Sequence, residues 1–119
     1  MPVLDSLILY TRKMEEMAAF YTAHFGYIRH DQPGDRIVEL RPSSDGITLL
    51  LHAAAKGARQ GQASVKLVFT VVDVPGFCAQ AAEQGLSFGT LHRAQGYVFA
   101  NAKDPSGNSV SVSGRLAKG

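Results

Sequence analysis

Strict alternation in one short stretch gives the first clue. Ser109-Val110-Ser111-Val112-Ser113 places two valines on one face of a strand and three serines on the other. One face meets a core, the other meets water or a polar cavity. Elsewhere the period shifts between strand and helix. Residues 3–11, VLDSLILYT, are rich in β-formers and predict a first strand. Across 13–25, Met14, Met17, Ala18, Tyr21 and Phe25 recur at helical spacing, with Glu15 and Glu16 near the start, where the helix dipole favours acids, and Gly26 as a stop. Shorter strand-like runs follow at 27–31, 36–41 and 46–53. Pro33-Gly34-Asp35 and Pro42-Ser43-Ser44-Asp45-Gly46 separate them as turns.

A polar loop, 56–63 (KGARQGQA), interrupts this order, which then repeats. Residues 65–72, VKLVFTVV, predict a strand. Val74, Phe77, Cys78, Ala81 and Ala82 mark one face of a helix over 74–84, ended by Gly85, and strands are predicted at 87–92, 96–100 and 108–113. The chain reads as β-α-β-β-β twice, with the halves starting about sixty residues apart. Each half holds too little to close a core alone, which predicts two sheets facing one another around a shared cleft.

A length of 119 residues suits a single domain, 1–119, made of two modules at about 1–55 and 64–115 with loop 56–63 between them. Twelve Lys and Arg against ten Asp and Glu leave a net charge of +2, and the basic residues are scattered, which argues against a nucleic-acid partner. Cys78 has no second cysteine for a disulfide or a zinc motif and reads as a packed thiol. No basic segment with a long apolar run opens the chain, and no apolar stretch is long enough for a span. The expectation is a cytoplasmic protein without a membrane partner.

With the repeat established, particular residues resemble a known family. Asp5-Ser6-Leu7-Ile8-Leu9-Tyr10-Thr11, followed by Phe20-Tyr21 and Phe25-Gly26-Tyr27, is similar to the first module of the vicinal oxygen chelate superfamily, which includes glyoxalase I, extradiol dioxygenases, and fosfomycin- and bleomycin-resistance proteins. Lys66-Leu67-Val68-Phe69-Thr70-Val71 with Asp73-Val74, then Asp104-Pro105-Ser106-Gly107-Asn108, resembles its closing module and final turn. The resemblance implies an α+β fold in which two βαβββ modules form a cup-shaped mixed sheet, and a homodimer. It also implies metal-ligand positions on four strands. Here these fall on Ser6, near Leu50 or Leu51, on Lys66 and on Ser111. Hydroxyls are poor donors to a divalent cation and an ammonium repels it, so no metal and no cofactor are expected.

The histidines fall elsewhere. His24 and His30 read as surface residues. His52, after Leu49-Leu50-Leu51, either lines the cup or is exposed at a strand end; a one-residue shift in register decides which. His92, beside Arg93, is also at a strand end.

The resulting expectation is a small-molecule-binding protein of the glyoxalase/bleomycin-resistance type. It sequesters a polar or planar ligand against Ser6, His52, Lys66, Tyr97, Phe99 and Ser111, with Ser109 and Ser113 sharing the face of Ser111. Two enzymatic alternatives stand beside it: a metal-dependent lyase or dioxygenase with Glu39, His52 and His92 as unorthodox ligands, or metal-free chemistry with Lys66 as acid or base. A third alternative is an interaction module whose cup is filled by Leu49, Leu51, Val68 and Phe69. The segment Arg59-Gln60-Gly61-Gln62 is expected to be a mobile cover or a linker in the dimer.

Overall fold

Alternation at the start of the chain becomes strand β1, Ser6–Thr11, in the computed structural model, which describes residues 2–118. Helix α1, Met14–Phe25, follows and buries Met17, Ala18, Phe20 and Tyr21. Gly26 ends it in the left-handed region at φ 69°, and its N–H bonds to the Tyr21 carbonyl. Tyr27 then donates its hydroxyl to the Ile47 carbonyl at 2.8 Å, fixing the chain beyond the helix to the start of a later strand. Burial raises the Tyr27 pKa above the usual phenol value.

Three strands complete this half: β2, Ile28–His30; β3, Val38–Arg41; and β4, Thr48–Ala53. The sheet order is β1-β4-β3-β2, with β1 parallel to β4 and the other pairs antiparallel. Leu40, Leu49 and Leu51, none more than 2% exposed, form the core with Met17 and Tyr21 of α1. Each such side chain contributes about 1.5–3 kcal/mol on burial. Arg29 bonds across to Glu15 of α1 at 2.9 and 3.0 Å and to Asp31, which holds the helix against the edge strand.

The second half repeats the order: β5, Lys66–Thr70; α2, Val74–Glu83; β6, His92–Ala94; β7, Tyr97–Lys103; and β8, Ser109–Ser113. Its sheet runs β5-β8-β7-β6, the same arrangement as the first, again with one parallel pair, β5 with β8. Asp73 caps α2 by accepting from the Gly76 N–H at 3.0 Å. The far end closes through Leu86, whose N–H reaches the Ala81 carbonyl at 2.8 Å. Both halves are thus βαβββ modules, and the fold is α+β. The chain divides into compact units Met1–Gln60 and Gly61–Gly119, parted inside the predicted loop.

Several boundaries differ from expectation. Of the strand predicted at 87–92, residues 87–91 form no strand; Gly89 bonds to the Asn101 carbonyl, and β6 begins at His92. Phe88 packs edge-on against Phe77 of α2, so its apolar character reflects contact with the helix rather than a ladder. Strand β7 runs on to Lys103, and β1 begins at Ser6 rather than residue 3, leaving Val3 and Leu4 exposed.

The loop between the halves is anchored at both of its middle residues. Gln60 accepts from the Arg12 N–H at 3.3 Å within the first unit. In the second, Gly61, at φ 71°, lies so close to Gly107 that a Cβ there would meet its carbonyl oxygen at 2.8 Å.

Candidate functional site

Each sheet has a face turned to its helix and an open face, and register assigns every residue to one of them. In the first sheet Ser6 pairs with Thr48, Ile8 with Leu50 and Tyr10 with His52, so these six share the open face, joined by Glu39 opposite Leu50. Leu49 and Leu51 point to the helix side, which removes them as candidates for filling a cavity on the open face. Leu50, not Leu51, is therefore the fourth-strand residue on the face of Ser6. His52 lies two positions further along it, its ring 5.4 Å from that of Tyr10. Its Nδ1 is 2.9 Å from the Ala53 carbonyl oxygen, a geometry that takes the donor tautomer at Nδ1. Ser6 is half-buried and stands four register positions from His52. Glu39 accepts a close hydrogen bond from Arg41.

The second sheet gathers the other four predicted residues. Lys66 pairs with Ser109, Val68 with Ser111 and Thr70 with Ser113; across β8, Ser113 faces Phe99, Ser111 faces Asn101 and Ser109 faces Lys103. Lys66, Phe99 and Ser111 therefore lie on one open face, with Tyr97 two residues before Phe99. Phe69, paired with Val112, is on the helix side, whereas Val68 is on the open face and 57% exposed.

The Lys66 ammonium donates to Asn101 Oδ1 at 3.0 Å and stands 5.6 Å from the centre of the Phe99 ring. His92 stacks on Phe99 with centroids 5.0 Å apart and planes inclined by 26°. Tyr97 follows at 6.2 Å from Phe99, and Arg115 lies over the Tyr97 ring at 5.3 Å while donating to its hydroxyl at 3.0 Å. Side by side, these groups form a strip of cation, ring, ring, cation. Ser111 lies beneath it, 2% exposed, and its hydroxyl donates to the Ala100 carbonyl at 3.0 Å.

Among the described residues of the second unit, no carboxylate sits on this face. The three acids of the second half are Asp73, which caps α2, Glu83 within α2, and Asp104. The Asp104 carboxylate, in the Asp-Pro-Ser-Gly-Asn turn, accepts from the Ser106 and Asn108 backbone N–H groups and the Asn108 side-chain amide at 2.9 Å each. Lys66, Lys103 and Arg115 make no ion pair among the described residues. Lys103 instead donates to Ser109 Oγ at 2.9 Å.

Sequence reading missed Asn101, Lys103 and Arg115. The alternation Tyr97, Phe99, Asn101, Lys103 carries the first two on the face of Phe99; Arg115 lies just past the last strand, outside any periodic pattern. The predicted residues fall into two groups, Ser6 and His52 on one sheet, Lys66, Tyr97, Phe99 and Ser111 on the other. Among the described residues no three His, Cys, Asp or Glu side chains come together as a metal-holding group. Cys78 is half-buried in α2, where desolvation raises its pKa. No helix among the described residues is long and apolar enough to cross a membrane.

Known proteins share this fold. An antibiotic binding protein, TnmS3, from Streptomyces sp. CB03234 superposes with a TM-score of 0.78 at 22% identity, covering 94% of each chain. A member of the glyoxalase/bleomycin resistance protein/dioxygenase superfamily from Sphaerobacter thermophilus gives 0.77 at 18% identity, over 95% of this chain and 97% of the other. A lactoylglutathione lyase from Agrobacterium tumefaciens gives 0.72 at 20% identity, over 93% and 92%. At such identities the likeness is one of fold. No curated protein matches the chain in sequence. The model of the Glyoxalase/Bleomycin resistance protein/Dioxygenase superfamily matches residues 3–112, and the two βαβββ modules carry its topology; the chain belongs to that superfamily.

Proposed function

We propose that the protein binds and sequesters a planar, anionic small molecule on the open face of the second sheet, without a catalytic metal and as a homodimer. The observation that carries this reading is the Lys66 ammonium, held by Asn101 at 3.0 Å beside Phe99 on a face to which the described residues of the second unit bring no carboxylate. The Phe99 and Tyr97 rings give a flat ligand aromatic surface to lie against, and the ammonium supplies a charge-assisted bond to its acid group. The donor set does not suit a divalent metal. At the ligand positions implied by the superfamily, Ser6 and Ser111 offer neutral hydroxyls, Leu50 a hydrocarbon and Lys66 a cation. An antibiotic binding protein among the structural neighbours accords with sequestration as a use of this fold.

Calorimetric titration with trans-stilbene-4-carboxylate and its uncharged carboxamide tests the reading. The acid is expected to bind about tenfold more tightly than the amide, the worth of one charge-assisted hydrogen bond. Lys66→Gln is expected to cut that advantage about fivefold. Equal affinity for acid and amide, or no binding of either, would overturn the reading; turnover of a ligand only after addition of manganese, zinc or iron(II) would favour a metal-dependent enzyme.

A further inference from the structure

Beyond Lys66 the second sheet carries two further hydrogen-bonded cations that the proposed function does not use, Lys103, bonded to Ser109, and Arg115. Arg115 follows β8 and is held at three points. Its backbone N–H donates to Ser113 Oγ at 3.1 Å, its Nη1 donates to the Tyr97 hydroxyl at 3.0 Å, and its guanidinium lies 5.3 Å from the centre of the Tyr97 ring. The preceding residue is fixed too, since the Gly114 N–H bonds to the Val98 carbonyl at 3.1 Å. An exposed arginine restrained in this way has given up much of its side-chain freedom before any ligand arrives, which lowers the cost of binding. Beside it is an open depression of about 470 Å³, lined by Gln95, Gly96, Tyr97, Arg115 and Leu116.

The guanidinium has five N–H donors, and the Tyr97 hydroxyl takes one of them. Arg115 has no carboxylate partner among the described residues. A planar fork with free donors, over a ring and next to a depression, matches the geometry of a carboxylate better than that of a neutral group. Gly96 and the mostly exposed Leu116 leave room and apolar surface for the carbon atoms attached to it.

We infer that the Arg115–Tyr97 depression is a second acid-binding subsite, so that the preferred ligand is a planar diacid with one carboxylate at Lys66 and the other at Arg115. This rests on the proposed binding face and deepens it. The row supports the pairing: the Lys66 ammonium stands by Phe99, Phe99 by Tyr97 and Tyr97 by Arg115, which leaves two rings between two cations. A ligand with two conjugated rings and an acid at each end has the matching order of groups.

The test compares trans-stilbene-4,4′-dicarboxylate with the monoacid by calorimetry, using the intact protein and the variants Arg115→Gln, Arg115→Lys and Tyr97→Phe. The diacid is expected to bind about tenfold more tightly than the monoacid to the unaltered protein. Arg115→Gln is expected to bring the ratio of diacid to monoacid affinity from about tenfold down to about one. Arg115→Lys, which keeps the charge but loses the fork, and Tyr97→Phe, which frees the guanidinium, are each expected to keep part of the gain. If the monoacid binds but the diacid binds no better, or its gain survives Arg115→Gln, the subsite is overturned and the proposed function stands. Failure of both acids to bind overturns both.

Discussion

The Lys66 ammonium reaches diagonally over β8 to donate to Asn101 Oδ1 at 3.0 Å, so the amide on β7 fixes where the charge on β5 stands. Both groups are on the surface, and the bond does little for folding. Its effect is positional: it keeps a long, flexible side chain beside Phe99 instead of extended into water. Asn101→Ala is therefore expected to leave stability within about 0.5 kcal/mol while weakening the acid about threefold or more. Denaturant melts and calorimetry on the same preparation separate the two effects.

Ser111 gives the opposite division. Its hydroxyl is buried and bonded to the Ala100 carbonyl, which makes it part of the sheet more than of the ligand surface. Ser111→Ala is expected to cost about 1 kcal/mol of stability with little change in acid binding. Ser111→Glu puts a carboxylate where 2% of the residue is exposed and is expected to cost several times as much, read as a lower urea midpoint at neutral pH.

Two glycines with nearly the same backbone make a controlled pair. Gly57 and Gly61 have φ of 83° and 71°, but a Cβ at Gly57 meets nothing within 4 Å, whereas one at Gly61 runs into Gly107. Gly57→Ala is expected to cost about 1–2 kcal/mol from the left-handed conformation alone. Gly61→Ala is expected to cost at least about 1 kcal/mol more, since backbone must move. Equal thermal shifts for the two variants would show that the Gly61–Gly107 approach is not part of the native state.

Glu15 carries a pH signature. Its hydrogen bonds from Arg29, followed by the charge of that guanidinium, hold its pKa below the ordinary carboxylate value. A depressed folded pKa means that the contribution is present above the unfolded value, about 4.3. It is lost as pH falls through the folded one. The pair is exposed, so the effect is small. In thermal melts from about pH 6 to about pH 2, the difference between the protein and Glu15→Gln is expected to shrink toward the acid end.

The two-module organisation was legible because strand and helix periods repeat in the same order in both halves. The serine row was legible for the same reason, since a period of two fixes the face once the strand exists. The strand expected at 87–92 failed over 87–91 because Phe88 is apolar through packing on Phe77, a helix contact that no local pattern distinguishes from a ladder. The roles of Leu49 and Leu51 turned on register. Pairing of Tyr10 with His52 put both leucines on the helix side and His52 on the open face. Arg115 was out of reach because its position depends on Ser113 and Tyr97, which are brought to it by the β7–β8 pairing and the turn after β8. Asn101 could have been found by extending the alternation of β7 past Ala100.

The most direct test of the binding face is a nitrogen-15 chemical-shift titration of the labelled protein with trans-stilbene-4-carboxylate. The largest shifts are expected on β5 and β7, centred on Lys66, Phe99 and Asn101. Shifts centred on β1 and β4 around Ser6 and His52, or saturation binding that leaves the Lys66–Asn101 region unmoved, would contradict it.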